Sequence, residues 1–171
     1  MQTHNLTIAS PAFEPHALSE ATVLGAAVWL WMHSNMHQGA PLSALNALLI
    51  PAIKTGQYLL AFENEQPVAY VAWAKLDTQA ETRYLNSAMQ LHEPSDWQSG
   101  DRYWFTDYIS PFGHARQIKQ LLTHQLFTNG LFRSLYHRGD DKGLRIIEFL
   151  GVAIHPAVAR HWFDTHPVIS S

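Results

Sequence analysis

The sequence predicts an α+β fold with a mixed, mainly antiparallel sheet flanked by helices. Helical periodicity dominates the first third of the chain, strand patterns separated by turn residues begin at residue 57, and helical segments return between the later strands. The 171 residues are 47% hydrophobic and contain no repeat or linker. We therefore expect one domain over residues 1–171, with residues 1–18 as an N-terminal extension.

The first 56 residues are predicted to be helical. Ser19 is a suitable N-cap for a first helix that ends near residues 33–35. Pro41 suits the first turn of a second helix, which Pro51 and Gly56 interrupt and close. Apolar residues cover more than half of the first helix, which predicts that it is largely buried. They are Val23, Leu24, Ala27, Val28, Leu30 and Trp31.

A sheet is predicted to begin at residue 57. Residues 57–63 and 68–76 are rich in β-branched and aromatic side chains, and they flank the polar turn 64–67. This pattern indicates a β-hairpin. The polar stretch 77–100 has no assignable pattern.

Residues 102–110 (RYWFTDYIS) form the next strand pattern, which Pro111 ends. A helix is predicted over residues 114–127, because its apolar residues recur at helical spacing. Gly130 stands where a C-terminal cap belongs.

The last part of the chain predicts a second hairpin and a closing helix. Two short strand patterns, 131–137 and 144–150, enclose the turn-prone residues 138–143. Residues 156–163 then have the pattern of a short helix.

Composition excludes several classes of function. The formal net charge is −3 and the 11 Lys and Arg residues are scattered, so we expect no nucleic-acid partner. The chain has no cysteine, which excludes disulfides and a cysteine nucleophile. The longest apolar run, residues 23–32, is about half of the ~20 residues that a spanning helix needs, and residues 1–10 lack a secretory pattern. We expect a cytoplasmic protein with no transmembrane segment.

Histidine is frequent, with 11 residues. His33 and His37 have the i, i+4 spacing that can present two imidazoles to zinc. However, Ser34 stands where such a motif carries its catalytic glutamate, and no other cluster supplies a third ligand. No metal site is predicted.

Two side chains are candidates for chemistry. His37 lies in the turn after the first helix, with Ser34 and Asn35, where a histidine is either a simple cap or a catalytic group. Strand alternation puts Asp107 on an apolar face, where an unpaired carboxylate is costly. Asp107 therefore either pairs with an arginine or backbone donors, or orients a catalytic histidine.

The turn at residues 110–113 (SPFG) joins a strand to a helix, as phosphate-binding loops do. It has a single glycine, and its proline removes one N–H donor. It is therefore a poor cradle for the phosphates of a nucleotide or of coenzyme A.

Six stretches spread over residues 23–155 form a specific combination. They are residues 28–37 (VWLWMHSNMH), 49–58 (LIPAIKTGQY), 67–74 (PVAYVAWA), 83–86 (RYLN), 96–113 (DWQSGDRYWFTDYISPFG) and 148–151 (EFLG). In this order they resemble the RTX toxin-activating lysine acyltransferases, the family of the hemolysin-activating protein.

The resemblance implies a fold similar to that of the GNAT acetyltransferases. It implies transfer of a fatty acyl group from acyl carrier protein to internal lysines of an RTX protoxin, which activates the toxin, with no other cofactor. The family's essential histidine falls on His37, its serine on Ser34 and its aspartate on Asp107. The resemblance also implies a homodimer.

Four further residues are candidates for substrate binding, namely Trp31, Asn35, Arg116 and Lys119. Trp31 either lines a groove for the acyl chain or is plain core. Arg116 and Lys119 either contact the acidic carrier protein or belong to a solvated helix face. Asn35 departs from the family, which commonly has proline there, and Gln38 stands where the family has arginine, which bears on donor preference.

Two rival functions compete with this one. A CoA-dependent GNAT N-acetyltransferase needs a Gln/Arg-x-x-Gly-x-Gly/Ala loop after the central strand, and residues 110–116 (SPFGHAR) do not supply it. A non-catalytic chaperone that binds the toxin before export would tolerate the loss of His37.

Overall fold

A computed structural model describes residues 2–3, 5–13, 18–86, 91, 93–135 and 145–168. The chain divides into two compact units, Met1–Trp73 with Thr106–Ile118 and Ala74–Phe105 with Lys119–Ser171. The single domain with an N-terminal extension stays a prediction.

The first unit begins with strands where helices were expected, so the prediction of 56 helical residues is wrong. Strands β1 (Gln2–Thr3) and β2 (Leu6–Ala9) precede the first helix, and β2 pairs antiparallel with β3 (Tyr58–Glu63). Leu6 and Ile8 are 1% and 4% exposed. The alternation of β2 is only four residues long, and its pairing with a distant strand decides its conformation.

Helix α1 (Glu20–Met32) has the predicted limits. The Ser19 hydroxyl accepts a hydrogen bond from the backbone N–H of Thr22 at 3.2 Å, which satisfies one free donor of the first turn. The buried residues of α1 are Val23, Ala27, Leu30 and Trp31. The helix therefore packs its apolar side inward and ends just before the segment that carries His37.

The second predicted helix is two short helices, α2 (Ser43–Leu48) and α3 (Ile50–Thr55). Pro41 lies before α2 instead of in its first turn. Gly56 closes α3 in the left-handed conformation, with φ of 69°, which favours glycine.

The first predicted hairpin is confirmed as β3 and β4 (Gln66–Leu76), which pair antiparallel. Its turn is shorter than predicted. Only Asn64 and Glu65 lie between the strands, and both have positive φ, at 49° and 67°. Positive φ at both central residues is typical of a type I′ turn, a common two-residue connection of β-hairpins.

The unassigned stretch 77–100 contains helix α4 (Thr78–Asn86) and the 3₁₀ turn Pro94–Trp97. The predicted strand follows as β5 (Arg102–Ile109). Helix α5 (Ala115–Leu121) continues into a π-helical turn, Leu122–Leu126.

Gly130 is not the predicted helix cap. The helical segment closes at Phe127, whose N–H donates to the Leu122 carbonyl at 2.7 Å. A Cβ atom at position 130 would lie 2.3 Å from the Phe132 ring. Close packing against this ring is therefore what favours glycine there.

In the second unit, β5 pairs parallel with β6 (Leu131–Leu135), which pairs antiparallel with β7 (Ile146–Leu150). The pairing of the second predicted hairpin is thereby confirmed, although its turn, residues 138–143, and residues 136, 137 and 144 of its predicted strands lie outside the described residues. Helix α6 (Pro156–Thr165) follows as predicted.

Among the described strands, the parallel pairing of β5 with β6 accompanies antiparallel pairings, which makes the sheet mixed and mainly antiparallel. The predicted α+β class is confirmed, and the arrangement is consistent with a GNAT-like fold. In the described part of the chain, no helix has both the length and the apolar character needed to cross a membrane.

A buried carboxylate organises the polar interior of the second unit. Glu81 is 1% exposed and accepts hydrogen bonds from Arg102 at 2.6 Å, Arg133 at 3.0 Å and the Trp104 indole N–H at 2.7 Å. These charges tolerate burial because they are paired.

We predict that Leu6→Ala lowers the free energy of unfolding by about 2–5 kcal/mol, because the side chain is buried and its removal leaves a cavity. Thr7→Ala, on the exposed side of the same strand, should change it by less than about 0.5 kcal/mol. Urea denaturation measures both. Equal, small effects would mean that β2 does not contribute to the core.

Candidate active site

The end of α1 brings three of the predicted residues together. Trp31, Ser34 and His37 recur at intervals of three residues. The Ser34 N–H donates to the Trp31 carbonyl at 3.0 Å, and the His37 N–H donates to the Ser34 carbonyl at 2.9 Å. Bonds of this i, i+3 type place side chains three residues apart on one side of the backbone. The local turns therefore aim all three side chains the same way.

His37 lies between a hydroxyl and a carboxylate. Its Nδ1 is 2.8 Å from Ser34 Oγ, and its Nε2 is 3.4 Å from Oδ1 of Asp107. The side chains of His37 and Asp107 are 12% and 7% exposed. The contact with Asp107 is longer than a good hydrogen bond, so it acts mainly through charge.

Asp107 is held from its other side by Trp31. Strand β5 carries Asp107, and the Trp31 indole N–H donates to its Oδ2 at 3.1 Å. The Trp31 and His37 rings also pack together, with centroids 4.9 Å apart. Among the described residues, the buried carboxylate of Asp107 thus contacts the Trp31 indole and the His37 imidazole.

The chemistry of these partners assigns the protons. The negative charge of Asp107 repels a nitrogen lone pair, so the proton of the neutral imidazole lies on Nε2, the nitrogen that faces the carboxylate. Nδ1 of the neutral ring then carries a lone pair and accepts from the Ser34 hydroxyl. The chain of groups runs from hydroxyl to imidazole to carboxylate, as in a serine–histidine–aspartate triad. This arrangement can accept a proton on the Ser34 side and stabilise the resulting imidazolium.

Sequence reasoning missed Tyr70 on β4, which is fully buried. Burial raises the pKa of Tyr70 well above its usual range, and the negative charge of Asp107 raises this pKa further, as does Tyr58. Among the described residues its hydroxyl has no hydrogen-bond partner. The phenol therefore stays neutral and adds no second negative charge near Asp107. The strand pattern of residues 68–76 marks Tyr70 as core and carries no further signal.

The hydrogen bond from Trp31 to Asp107 was also missed. The sequence predicted only that Trp31 lines an acyl groove or belongs to the core. Asn35, Arg116 and Lys119 are exposed. The Lys119 ammonium lies 5.4 Å from the Phe149 ring centroid. These three residues stay candidates for substrate binding.

Comparison with known proteins identifies relatives over most of the chain. The profile of the RTX toxin acyltransferase family matches residues 16–150. The protein-lysine myristoyltransferase RtxC of Kingella kingae is 39% identical over 143 residues, which cover 84% of each chain. The protein-lysine myristoyltransferase HlyC of Escherichia coli is 37% identical over 146 residues, again 84% of each chain. The leukotoxin-activating lysine-acyltransferase LktC of Mannheimia haemolytica, serotype A1, is 35% identical, covering 84% of this chain and 86% of its own.

We predict that Tyr70→Phe weakens the loss of stability at alkaline pH. The folded-state pKa of Tyr70 is raised, so its contribution is present below the unfolded value of about 10 and is lost as pH rises above it. Removing the phenol should reduce the slope above about pH 10 by up to about 1.4 kcal/mol per pH unit.

Urea denaturation at several pH values measures this slope. At pH 7 the variant should be as stable as the wild type or more so, because the buried hydroxyl lacks a partner among the described residues. An unchanged alkaline slope would contradict the prediction.

Proposed function

This chain belongs to the RTX toxin acyltransferase family, and on this premise we propose that it transfers a fatty acyl group from acyl carrier protein to internal lysines of an RTX protoxin. The transfer activates the toxin. One observation carries the proposal, namely the imidazole of His37 held between the Ser34 hydroxyl and the Asp107 carboxylate. Such a group can accept the proton that a lysine must lose when it attacks a thioester.

Proton affinities limit how His37 can act. Lysine has a reference pKa of about 10.4 and histidine of about 6.5, so full proton transfer to histidine before attack would be uphill by about 5 kcal/mol. His37 therefore acts on the neutral amine and accepts the proton that this amine loses during the attack. Entry of the lysine into a partly buried site lowers its pKa by desolvation and reduces this difference.

The reaction forms one bond and breaks another. The lysine Nζ attacks the thioester carbonyl carbon, the N–C bond forms, and the C–S bond to the carrier's thiol breaks. The ammonium proton leaves to solvent before the attack. The proton that the neutral amine loses as the N–C bond forms moves through the Ser34 hydroxyl to Nδ1 of His37 and then to the departing thiolate. Asp107 stabilises the transient imidazolium through the 3.4 Å contact.

Direct attack by lysine fits the geometry better than an acyl-histidine intermediate. Nδ1 of His37 already hydrogen-bonds to Ser34, and Nε2 faces Asp107. An acyl group on either nitrogen would displace one of these partners. A proton requires no such rearrangement.

Trp31 is proposed as a positioning residue. Its indole N–H holds Oδ2 of Asp107, which leaves Oδ1 for His37. The ring also packs on the imidazole and limits its rotation. Trp31 would thus act on the reaction through Asp107 and His37, without contact with the acyl chain.

The proposal includes the acyl donor and the assembly. Acyl carrier protein is acidic, and the exposed Arg116 and Lys119 suit contacts with it. We propose a cytoplasmic homodimer that requires no metal and no other cofactor. A coenzyme A donor is disfavoured by the turn at residues 110–113, which has one glycine and a proline.

We predict that His37→Ala lowers the rate of protoxin acylation by about 10²–10⁴-fold, because the proton acceptor is lost. The assay combines purified chain, acyl-acyl carrier protein and RTX protoxin, and mass spectrometry locates acylated lysines. His161→Ala is the control, since His161 is exposed on α6. Near-normal acylation by His37→Ala would exclude this mechanism, and the absence of acylation by the wild type would favour a chaperone. Equal rates with acyl-CoA would instead overturn the proposed donor.

A second prediction separates positioning from acyl binding. Asp107→Asn should lower kcat strongly, and Trp31→Phe, which keeps a ring but loses the N–H, should lower kcat by about 10-fold, the equivalent of one charge-assisted hydrogen bond. Neither change should alter KM for acyl carrier protein or the preferred acyl chain length. A changed chain-length preference in Trp31→Phe would show that Trp31 lines the acyl groove.

A further inference from the structure

A cavity of about 580 Å³ lies within the first unit. One wall is formed by Trp29 and His33 from the end of α1, and another by Phe112 and His114 from the segment after β5. The turn of the β3–β4 hairpin, with Glu63 at its start, completes the lining. None of these residues takes part in the cluster of Trp31, Ser34, His37 and Asp107.

Three rings form the apolar side of the cavity. The centroid of the Trp29 ring lies 4.2 Å from that of His33 and 5.5 Å from that of Phe112. The centroids of the His33 and Phe112 rings are 5.4 Å apart. The side chain of Phe112 is 43% exposed. The cavity thus offers aromatic faces to a ligand that arrives from solvent.

The polar side of the cavity is acidic. Of the described residues that line it, Glu63 alone carries a formal charge when histidines are neutral. The Glu63 side chain is 42% exposed, and its Oε2 lies 3.5 Å from Nε2 of His114. The carboxylate is therefore accessible to a ligand.

His33 adds a hydrogen-bond acceptor. Its Nδ1 lies 2.8 Å from the backbone carbonyl of Trp29, and a carbonyl cannot donate, so Nδ1 carries the proton. Nε2 of the neutral ring is then a lone-pair acceptor. A carboxylate, an imidazole acceptor and aromatic faces all favour a ligand that is a hydrogen-bond donor with positive charge.

This chemistry selects among the ligands of an acyltransferase. A phosphopantetheine or an acidic protein would meet the negative charge of Glu63. A fatty acyl chain would leave the carboxylate and the imidazoles without polar partners, at a cost in free energy. A lysine or arginine side chain matches both sides, because its alkyl stem packs on rings and its charged end pairs with Glu63.

We propose that this cavity binds a basic side chain of the protoxin that lies next to the target lysine in its sequence. The inference rests on the proposed function. The occupant is not the reacting lysine, because a carboxylate and aromatic faces favour the charged ammonium, and attack on a thioester requires the neutral amine. The cavity thereby selects lysines that have a basic neighbour.

Chain connectivity places this cavity next to the proposed catalytic residues. His33 is bonded to Ser34, and adjacent Cα atoms are about 3.8 Å apart. Phe112, in the segment that follows β5, comes five residues after Asp107. A substrate segment of a few residues, at about 3.3 Å per residue when extended, can therefore reach both places at once.

Direct binding tests the proposal without relying on catalysis. The probe is a short fluorescent peptide with one central lysine flanked by arginines, compared with a peptide in which glutamines replace the arginines. The purified full-length chain should bind the arginine peptide at least about 5-fold more tightly by fluorescence anisotropy. Equal affinity for the two peptides would overturn the proposal.

Matched variants locate the effect. Glu63→Gln and Phe112→Leu should each reduce the preference for arginine about 3-fold or more. Glu65→Gln removes the same charge two residues away, on an exposed side chain that does not line the cavity, and should keep the preference. Thermal melts verify that each variant is folded. Equal losses in Glu63→Gln and Glu65→Gln would assign the preference to general charge attraction and overturn the site.

Acylation assays then connect the cavity to the reaction. With protoxin as substrate, Glu63→Gln should raise KM and leave kcat unchanged, whereas His37→Ala lowers kcat. Loss of kcat in Glu63→Gln with unchanged KM would contradict the inference. If the wild type binds the arginine peptide selectively but acylates no protoxin, the proposed function fails while the cation site stands.

Discussion

A single buried carboxylate is the constraint on which the candidate active site depends. Asp107 is 7% exposed on a strand whose neighbouring side chains are mostly apolar, and an unpaired charge there would destabilise the fold. The Trp31 indole and the His37 imidazole supply its partners, and both come from the end of α1 or the turn after it. The groups proposed for chemistry therefore also stabilise the contact between this turn and β5. The contacts that stabilise the buried charge of Asp107 are thus the same contacts that position the groups proposed for catalysis.

The order of groups around His37 follows from elementary electrostatics. The negative charge of Asp107 favours the proton on Nε2, which leaves Nδ1 as an acceptor for the Ser34 hydroxyl. The Trp31–Ser34–His37 spacing of three residues matches the turns that continue beyond α1. A short segment with its own backbone hydrogen bonds thus presents a preorganised proton acceptor. The fully buried Tyr70 nearby stays neutral, so no second negative charge competes with Asp107.

The two sites of the first unit differ in the work that their chemistry suits. The cluster around His37 is nearly closed to solvent and relies on one fixed charge, which suits proton transfer. The cavity beside Phe112 is more open, with aromatic faces and a half-exposed carboxylate, which suits recognition of a charged side chain. His33 lines the cavity, and its neighbour Ser34 belongs to the cluster around His37. One extended segment of the substrate can therefore place a basic side chain in the cavity and its target lysine at the cluster.

The sequence by itself determined the elements with long or strongly capped patterns, such as α1 behind Ser19 and the strand that carries Asp107. It also indicated His37 from its place in a turn and Asp107 from its place on an apolar strand face, and the family motifs then pointed to these two residues and to Ser34. Only the tertiary structure decided that β2 is a strand, because four residues carry too little periodicity and the pairing partner lies about fifty residues away. It likewise decided that Trp31 binds Asp107, since an indole N–H finds its acceptor through packing between residues distant in sequence.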